Sequence, residues 1–368
     1  MTKKVLLVEP DYIIRYPNLA LMKFSTYYKS LGYEVQYIKG ERLISPHPEI
    51  ILISTMFTYY AKQTIRCISF YKSYYPNSKI RVGGISASLI PEYIEKNTGI
   101  KPEIGCLDWL DRITPDYGLL DPIIKESPYV EKWRDFSILF STRGCQRNCH
   151  FCAVHQLEPK NKIIDNWKDH IDLKRHKIML QDNNITATSI EHYKDVMNFI
   201  IKNKLRACFN NGFDARILND EQIYYLTKIK WCSGGLRVAF DNMSEDKHVQ
   251  NVIKKILKAG ISRCAFLVFC LFNFEDTFEE AMYRHQEIAD LDVRPYPQPY
   301  IPLNWLDKSK PYISKNWTRE LAYEFRQYWI LAGRYKNITF TEYLKSIGKT
   351  YESLINPQPK KDPVSIFQ

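Results

Sequence analysis

Apolar positions along this chain recur with two alternating periods. Residues 4–8 read as a buried strand closed by Pro10, and Leu21, Phe24, Tyr28 and Leu31 follow at helical spacing up to Gly32. Further strands are expected at residues 35–38, 50–54 and 79–82, with a helix carrying Ile65, Ile68 and Phe70 between the last two. Short apolar runs separated by helical periods predict a parallel sheet with helices on both faces. Functional residues of such sheets gather beyond the carboxyl ends of the strands, here Glu9-Pro10-Asp11, Ser54-Thr55-Met56 and Gly83-Gly84. The glycine pair permits a close backbone approach, either to a ligand or within a tight strand-to-helix turn.

Residues 108–134 are rich in Pro, Asp and Trp, and Pro115 and Pro122 break any long helix there. They predict a linker, with a domain boundary near residue 125. Beyond it strands are expected at 138–140, 177–180, 207–210, 236–240, 264–272 and 298–301, the last interrupted by prolines. The helix after the second of these carries Ile190, Tyr193, Val196, Met197, Ile200 and Ile201 on one face, with Ser189 as cap. Asn219 caps the next, a further helix runs from near Ser244 to Gly260, and Thr277 with Glu280 forms a capping-box pattern. Six β/α units in series predict a partial or complete parallel barrel, whose functional residues belong at the strand ends. Asp182, Asn211, Arg216 and Asp241 stand at those ends. Residues 306–355 read as helical, with Leu321, Phe325, Tyr328 and Trp329 at helical spacing, and 357–363 as a loose tail. Their mixture of aromatic and basic residues suits base stacking as well, but a helical cap over the barrel mouth is the expectation.

Composition narrows this only a little. The 368 residues are 45% hydrophobic and 25% charged, ordinary for a globular protein of two or so domains. No signal-peptide pattern opens the chain, and the longest apolar run, residues 264–272, falls far short of the ~18 that suggest a membrane span. A cytoplasmic protein with reduced thiols and no membrane partner is expected. The formal charge is +11, from 52 Lys and Arg against 41 Asp and Glu. That excess fits either a nucleic-acid partner or a lysine-rich surface, and no basic run resembles a binding tail.

The chemistry concentrates in Ser141-Thr142-Arg143-Gly144-Cys145-Gln146-Arg147-Asn148-Cys149-His150-Phe151-Cys152. Three of the nine cysteines fall here at spacing Cys-x3-Cys-x2-Cys, directly after a predicted strand. One short loop can aim three thiolates at a common point, which suits a metal or iron–sulfur site better than a disulfide framework. His155 follows Cys152 by three, so Cys145, Cys149, Cys152 and His155 also match the four ligands of a zinc site. Cys264 and Cys270 share strand parity; they could line the barrel as a relay, although packing is the expected role. Cys67, Cys106, Cys208 and Cys232 carry no spacing signal.

On these residues the chain resembles the radical S-adenosylmethionine (radical SAM) superfamily, whose hallmark is this cysteine spacing after the first strand of a partial (β/α)6 barrel, with an aromatic residue, here Phe151, before the third cysteine. Asp182-Asn183-Asn184, the run from Asn211 to Arg216, and Ala239-Phe240-Asp241 resemble strand-end motifs of its branch with cobalamin-binding-like N-terminal domains. The resemblance implies an α/β fold in three parts. These are a doubly wound Rossmann-like sheet over residues 1–125, the barrel over 126–305, and a helical extension over 306–368. It also implies a 4Fe-4S cluster on Cys145, Cys149 and Cys152, with S-adenosylmethionine chelating the fourth iron. Reductive cleavage then yields a 5′-deoxyadenosyl radical. Phe151 would pack near the adenine, Asp182 would face the methionyl amino group, and Asn211, Arg216, Arg237 and Asp241 would be further cofactor contacts.

The departures from the family pattern are specific. No Asp-x-His-x-x-Gly cobalamin signature follows the first strand, and His47 stands between two prolines. Cobalamin can bind without a histidine, but a degenerate domain shaping the substrate entrance is expected. The Gly-Gly-Glu run after the second barrel strand is absent, as is a glycine-rich adenine motif in the fifth. Three classes of function stay open. The first is a radical SAM oxidoreductase or transferase, acting on a tRNA or nucleobase, a peptide or a small metabolite, with an electron donor such as flavodoxin or ferredoxin. The others are a zinc-stabilised nucleic-acid-binding protein and a cluster-bearing accessory protein without turnover.

Overall fold

Val5, Leu6, Leu7 and Val8 are wholly buried because strand β1 (Lys4–Glu9) lies inside a parallel sheet covered on both faces. It pairs with β2 (Glu34–Lys39) on one side and β3 (Ile50–Thr55) on the other, and β3 pairs with β4 (Lys79–Gly84). The order is β2-β1-β3-β4, all parallel. Alternate residues serve different cores. Val5, Leu7 and Leu52 pack with Leu21 and Met22, whereas Leu6, Val8, Ile51 and Ile53 pack with Cys67, Ile68 and Tyr71. The computed structural model describes residues 3–332 and 338–356, so the expected tail at 357–363 lies outside the described residues.

At the carboxyl end of β4 the glycine pair divides into two roles. Gly84 has φ +104°, and a Cβ there would stand 2.2 Å from the Thr55 carbonyl oxygen. Thr55 accepts the Ala87 N–H on its Oγ1 and donates from it to the Gly83 carbonyl. The close approach is therefore internal, between β3 and the turn, and the ligand alternative is not needed for it. Glu9, at the end of β1, is also spent internally: its carboxylate accepts from Tyr37 Oη at 2.6 Å and Asn18 Nδ2 at 2.9 Å.

The second half repeats parallel pairing with a different outcome. β5 (Phe136–Leu139) leads through the small antiparallel pair β6 (Thr142–Arg143) and β7 (Lys162–Ile163) to β8 (Lys177–Leu180) and β9 (Arg206–Phe209). β5, β8 and β9 are neighbours in parallel. The far side of β9 is met first by β10 (Lys230–Trp231) and then by β11 (Leu236–Ala239), the latter through a single bridge from Phe213 to Val238. β12 (Phe266–Phe272) and β13 (Pro295–Pro299) complete the series in parallel. The chain is a mixed α/β protein built on parallel sheets.

Helix starts follow the local signals. Ser189 accepts the His192 N–H ahead of Ile190–Lys202, and both Asn219 with Gln222 and Thr277 with Glu280 form capping boxes. The helix expected from Ser244 begins only at His248, because residues 243–245 make a 3-10 turn. Cys264 lies in another such turn before β12, so it does not share a strand face with Cys270. Cys270 is buried in the helix-side core with Val238, Val268 and Ile288, which supports packing and removes the paired relay.

On the opposite face of these strands, Arg237, Leu267, Phe269 and Tyr296 are only half-buried. These strands therefore have one filled, helix-side face and one face left partly exposed. The prolines of β13 occur at alternate positions on an edge strand, where the missing N–H groups point away from β12. The expected linker is in fact core. Leu119, Leu120, Ile123, Val130 and Trp133 join the first sheet's cluster to Ile138, Met179 and Cys208 of β5, β8 and β9. The C-terminal helix Arg319–Ala332 buries Leu321, Phe325, Tyr328 and Trp329 against Phe272 and Ala281, beside β13. No helix among the described residues is long and apolar enough to cross a membrane.

Gly84→Ala is expected to destabilise the chain by upward of about 1–3 kcal/mol through strain and overlap at positive φ. Gly83→Ala, whose nearest neighbour would be 3.7 Å away, is expected to be close to neutral. Chemical denaturation of the two variants checks the contrast.

Candidate functional site

The cysteine loop leaves β5 through Phe140 and is clamped at its start by carboxylates from elsewhere in the chain. Asp182, just past β8, is 2% exposed. It accepts the Ser141 N–H at 2.6 Å, the Ser141 Oγ–H at 2.7 Å and the Thr142 N–H at 2.8 Å. One carboxylate oxygen thus takes two backbone N–H groups of the loop and the other the Ser141 hydroxyl, so Asp182 braces the loop. Glu158 accepts from the Gly144 N–H at 2.9 Å, from Arg143 at 3.0 Å and from the Asn183 amide at 2.7 Å. Arg143 also reaches Asp111 at 2.7 Å and lies over the Phe140 ring. Gly144 has φ +82°, and a Cβ would meet the Lys160 carbonyl oxygen at 2.4 Å, so the residue ahead of the first cysteine must be glycine.

Beyond the clamp the three thiols are free and half-buried. Cys145 Sγ accepts from the Arg147 N–H at 3.4 Å and from the Asn184 amide at 3.6 Å. Burial pushes the Cys149 thiol up, Cys152 adds to the rise, and the Arg216 guanidinium pulls against it. Cys152 is likewise raised by burial, with Cys145 contributing. The thiols are therefore close enough to feel one another. Arg216 is held by Asp214 at 2.7 Å and Glu245 at 3.1 Å, and Arg147 shares Asp214 at 2.8 Å.

A cavity of about 410 Å³ opens beside the loop, lined among others by Cys149, Phe151, Asp241, Asp276 and Arg284. That volume lies within the range of small-ligand sites. Phe151 meets Phe274 edge-on, with ring centroids 5.8 Å apart. The Leu271 N–H donates to the Asp241 carboxylate at 3.0 Å, and burial together with Glu245 raises Asp241 to about 7. Arg284 escaped the sequence reading because only its fold position makes it notable. It is 1% exposed, paired with Asp276 at 2.6 Å, donates to the carbonyls of Asp241 and Leu271, and keeps a buried Nε–H without a partner.

Of the sequence-selected residues, Cys149, Phe151 and Asp241 share this cavity, with Cys145, Cys152 and Arg216 adjoining Cys149. Asn211 is exposed and donates to the Gln181 carbonyl at 2.8 Å, bridging strand ends. Arg237 lies on the partly exposed face of β11 and donates to Asn210 and Gly234. His155 has a buried, unpartnered Nδ1. Among the described residues no three His, Cys, Asp or Glu side chains are gathered as they would be around a single metal ion. Two donors are aimed at Cys145 Sγ, and Cys145, Cys149 and Cys152 are the residues that would hold a cluster.

Burial raises Asp182 from 3.8 to about 6. Between those values the folded chain keeps a proton that the unfolded chain has released, so stability declines as pH rises through the window. Asp182→Asn preserves the brace's shape, with its oxygen accepting the two N–H groups. It is expected to flatten that part of the decline in denaturation midpoints measured across the window; an unchanged slope would show that the proton sits elsewhere.

A scan against protein-family models finds no match, and no curated protein matches the chain. Among solved structures the search returns the XylFII molecule, at a TM-score of 0.19 and 9% identity, covering 81% of this chain and 97% of that one. Agreement that low says nothing about fold or function.

Proposed function

We propose that this chain is a radical SAM enzyme, with a Rossmann-like, cobalamin-binding-like domain at residues 1–125, a partial (β/α)6 barrel at 126–305 and a helical extension at 306–368. The observation that carries the reading is the position of the three-thiol loop. It follows the first of six parallel strand positions and borders a cavity that also holds Phe151, Asp241 and Arg284. Cys145, Cys149 and Cys152 would hold a 4Fe-4S cluster, which together with S-adenosylmethionine would supply reductive cleavage to a 5′-deoxyadenosyl radical.

The chain's own residues prepare the site. Asp182 and Glu158 fix the loop backbone, so the thiols are positioned before any cofactor arrives. The Arg147 N–H and the Asn184 amide favour the thiolate of Cys145, and Arg216 favours that of Cys149. Phe151 and Phe274 form an apolar wall that excludes water from one side of the cavity. Arg284 offers a buried cationic donor suited to a carboxylate, and Asp241 an acceptor for an amino or hydroxyl group. A reduced flavodoxin or ferredoxin is the proposed electron donor. With all nine cysteines unpaired, we place the enzyme in the cytoplasm. No histidine follows β1 in the cobalamin pattern, and Glu9 is spent internally, so the first domain is read as holding no cobalamin.

Anaerobic reconstitution with iron, sulfide and S-adenosylmethionine under a reductant is expected to release 5′-deoxyadenosine. Cys149→Ala is expected to lower that release to background. The rival zinc reading draws on the unpartnered Nδ1 of His155. A colourless protein with one stoichiometric zinc would establish it, and a cluster without cleavage in the presence of cell extract would favour the accessory role.

A further inference from the structure

The partly exposed face of β11–β13 and the loops of the first sheet together carry cations without an ion pair: Arg15, Lys132, Arg237 and Lys308 form none among the described residues. They adjoin one apolar cluster, which holds Trp133 and Cys208 and has Tyr16, Phe57 and Tyr59 packed against it. Lys132 lies 5.8 Å from the Tyr16 ring centroid, the Arg15 carbonyl accepts from the Trp133 indole at 2.6 Å, and Arg237 reaches Cys208 Sγ at 3.8 Å. Lys308 donates to Tyr60 Oη at 2.6 Å and stands 4.8 Å from that ring's centroid. Like charges drawn together without counterions repel, so the arrangement is stable only if each is held by something else. Here that is ring faces and neutral carbonyls.

The rings are arranged in parallel pairs. Phe57 and Tyr59 stack at 5.0 Å with planes 11° apart, and Tyr16 stacks on Trp133 at 5.0 Å. Lys132 lies over Trp133 at 4.8 Å, and Arg237 lies over Phe269 at 5.7 Å. Phe57, Tyr59, Tyr16 and Phe269 are each half-exposed. Half-exposed flat rings next to uncompensated cations match a ligand that has a planar ring and a separate anionic group. The five residues from Arg237 to Asp241 span roughly 13 Å when extended, so such a ligand would reach toward the cysteine-loop cavity.

We infer that the surface shared by the first sheet's loops and the partly exposed face of β11–β13 binds a small nucleotide-like molecule, a planar ring bearing a phosphate. As a substrate site this rests on the radical reading; as a binding site it stands without it.

The test is titration calorimetry on the full chain, with and without reconstituted cluster, using the four common ribonucleoside 5′-monophosphates. The corresponding nucleosides, inorganic phosphate and a folded tRNA are the controls. At least one monophosphate is expected to bind, and to bind at least about tenfold tighter than its nucleoside or phosphate alone, with affinity falling as salt rises. Lys132→Glu with Lys308→Glu, both at exposed positions, is expected to weaken that binding at least about tenfold, while release of 5′-deoxyadenosine without substrate is unchanged. Arg15→Glu provides a second variant at an exposed residue. Binding that the charge reversals leave intact would overturn the assignment, as would no binding by any monophosphate, phosphate binding as well as the nucleotides, or capture of tRNA alone. Nucleotide binding without any S-adenosylmethionine cleavage would keep the binding surface and remove the radical chemistry.

Discussion

The site depends above all on the buried carboxylate of Asp182. A loop carrying three thiols within eight residues has little secondary structure to hold it, and its backbone donors would otherwise need water. Asp182 takes two of these N–H groups together with the Ser141 hydroxyl, and so joins the end of β5 to the end of β8. Glu158, Asp111 and Asp214 extend the same device to Arg143, Gly144 and Arg147. Cys145 Sγ thereby faces two amide donors and Cys149 the Arg216 guanidinium, while Asp241 and Glu245 oppose the thiolate form on the cavity side.

The features legible in the sequence are local ones. Strand runs, the capping residues Ser189, Asn219 and Thr277, and the helix stop at Gly260 depend on neighbours a few residues away, and each was placed within a turn. Ser244 was misplaced because its Asn242 cap closes a 3-10 turn first. The cysteine spacing and Phe151 were also readable. What could not be read is long-range. The role of Asp182 depends on a partner forty residues upstream in the chain, and Arg284 matters only because a helix carries it back to Asp241 and Leu271. The supposed linker looked loose because Pro and Asp punctuate it, while its Leu119, Ile123 and Trp133 find partners in two sheets.

The two halves are therefore not beads on a string. One apolar cluster runs from Leu7 and Leu52 through Trp133 to Ile138 and Met179. Lys308, beyond the last strand, returns to Tyr59 and Tyr60, and Lys62 pairs with Asp307 at 2.8 Å. The first sheet's loops are thus held against the second half from both ends of that half.

The alternating prolines of β13 carry a consequence for association. A sheet edge normally offers a row of N–H donors to any passing strand, and β13 offers almost none on its outer side. Pro295, Pro297 and Pro299 deny that edge to another copy of the chain, and equally to a strand that would close the series into a ring. The three residues that guard this edge against pairing thereby also fix β13 as the end of its sheet.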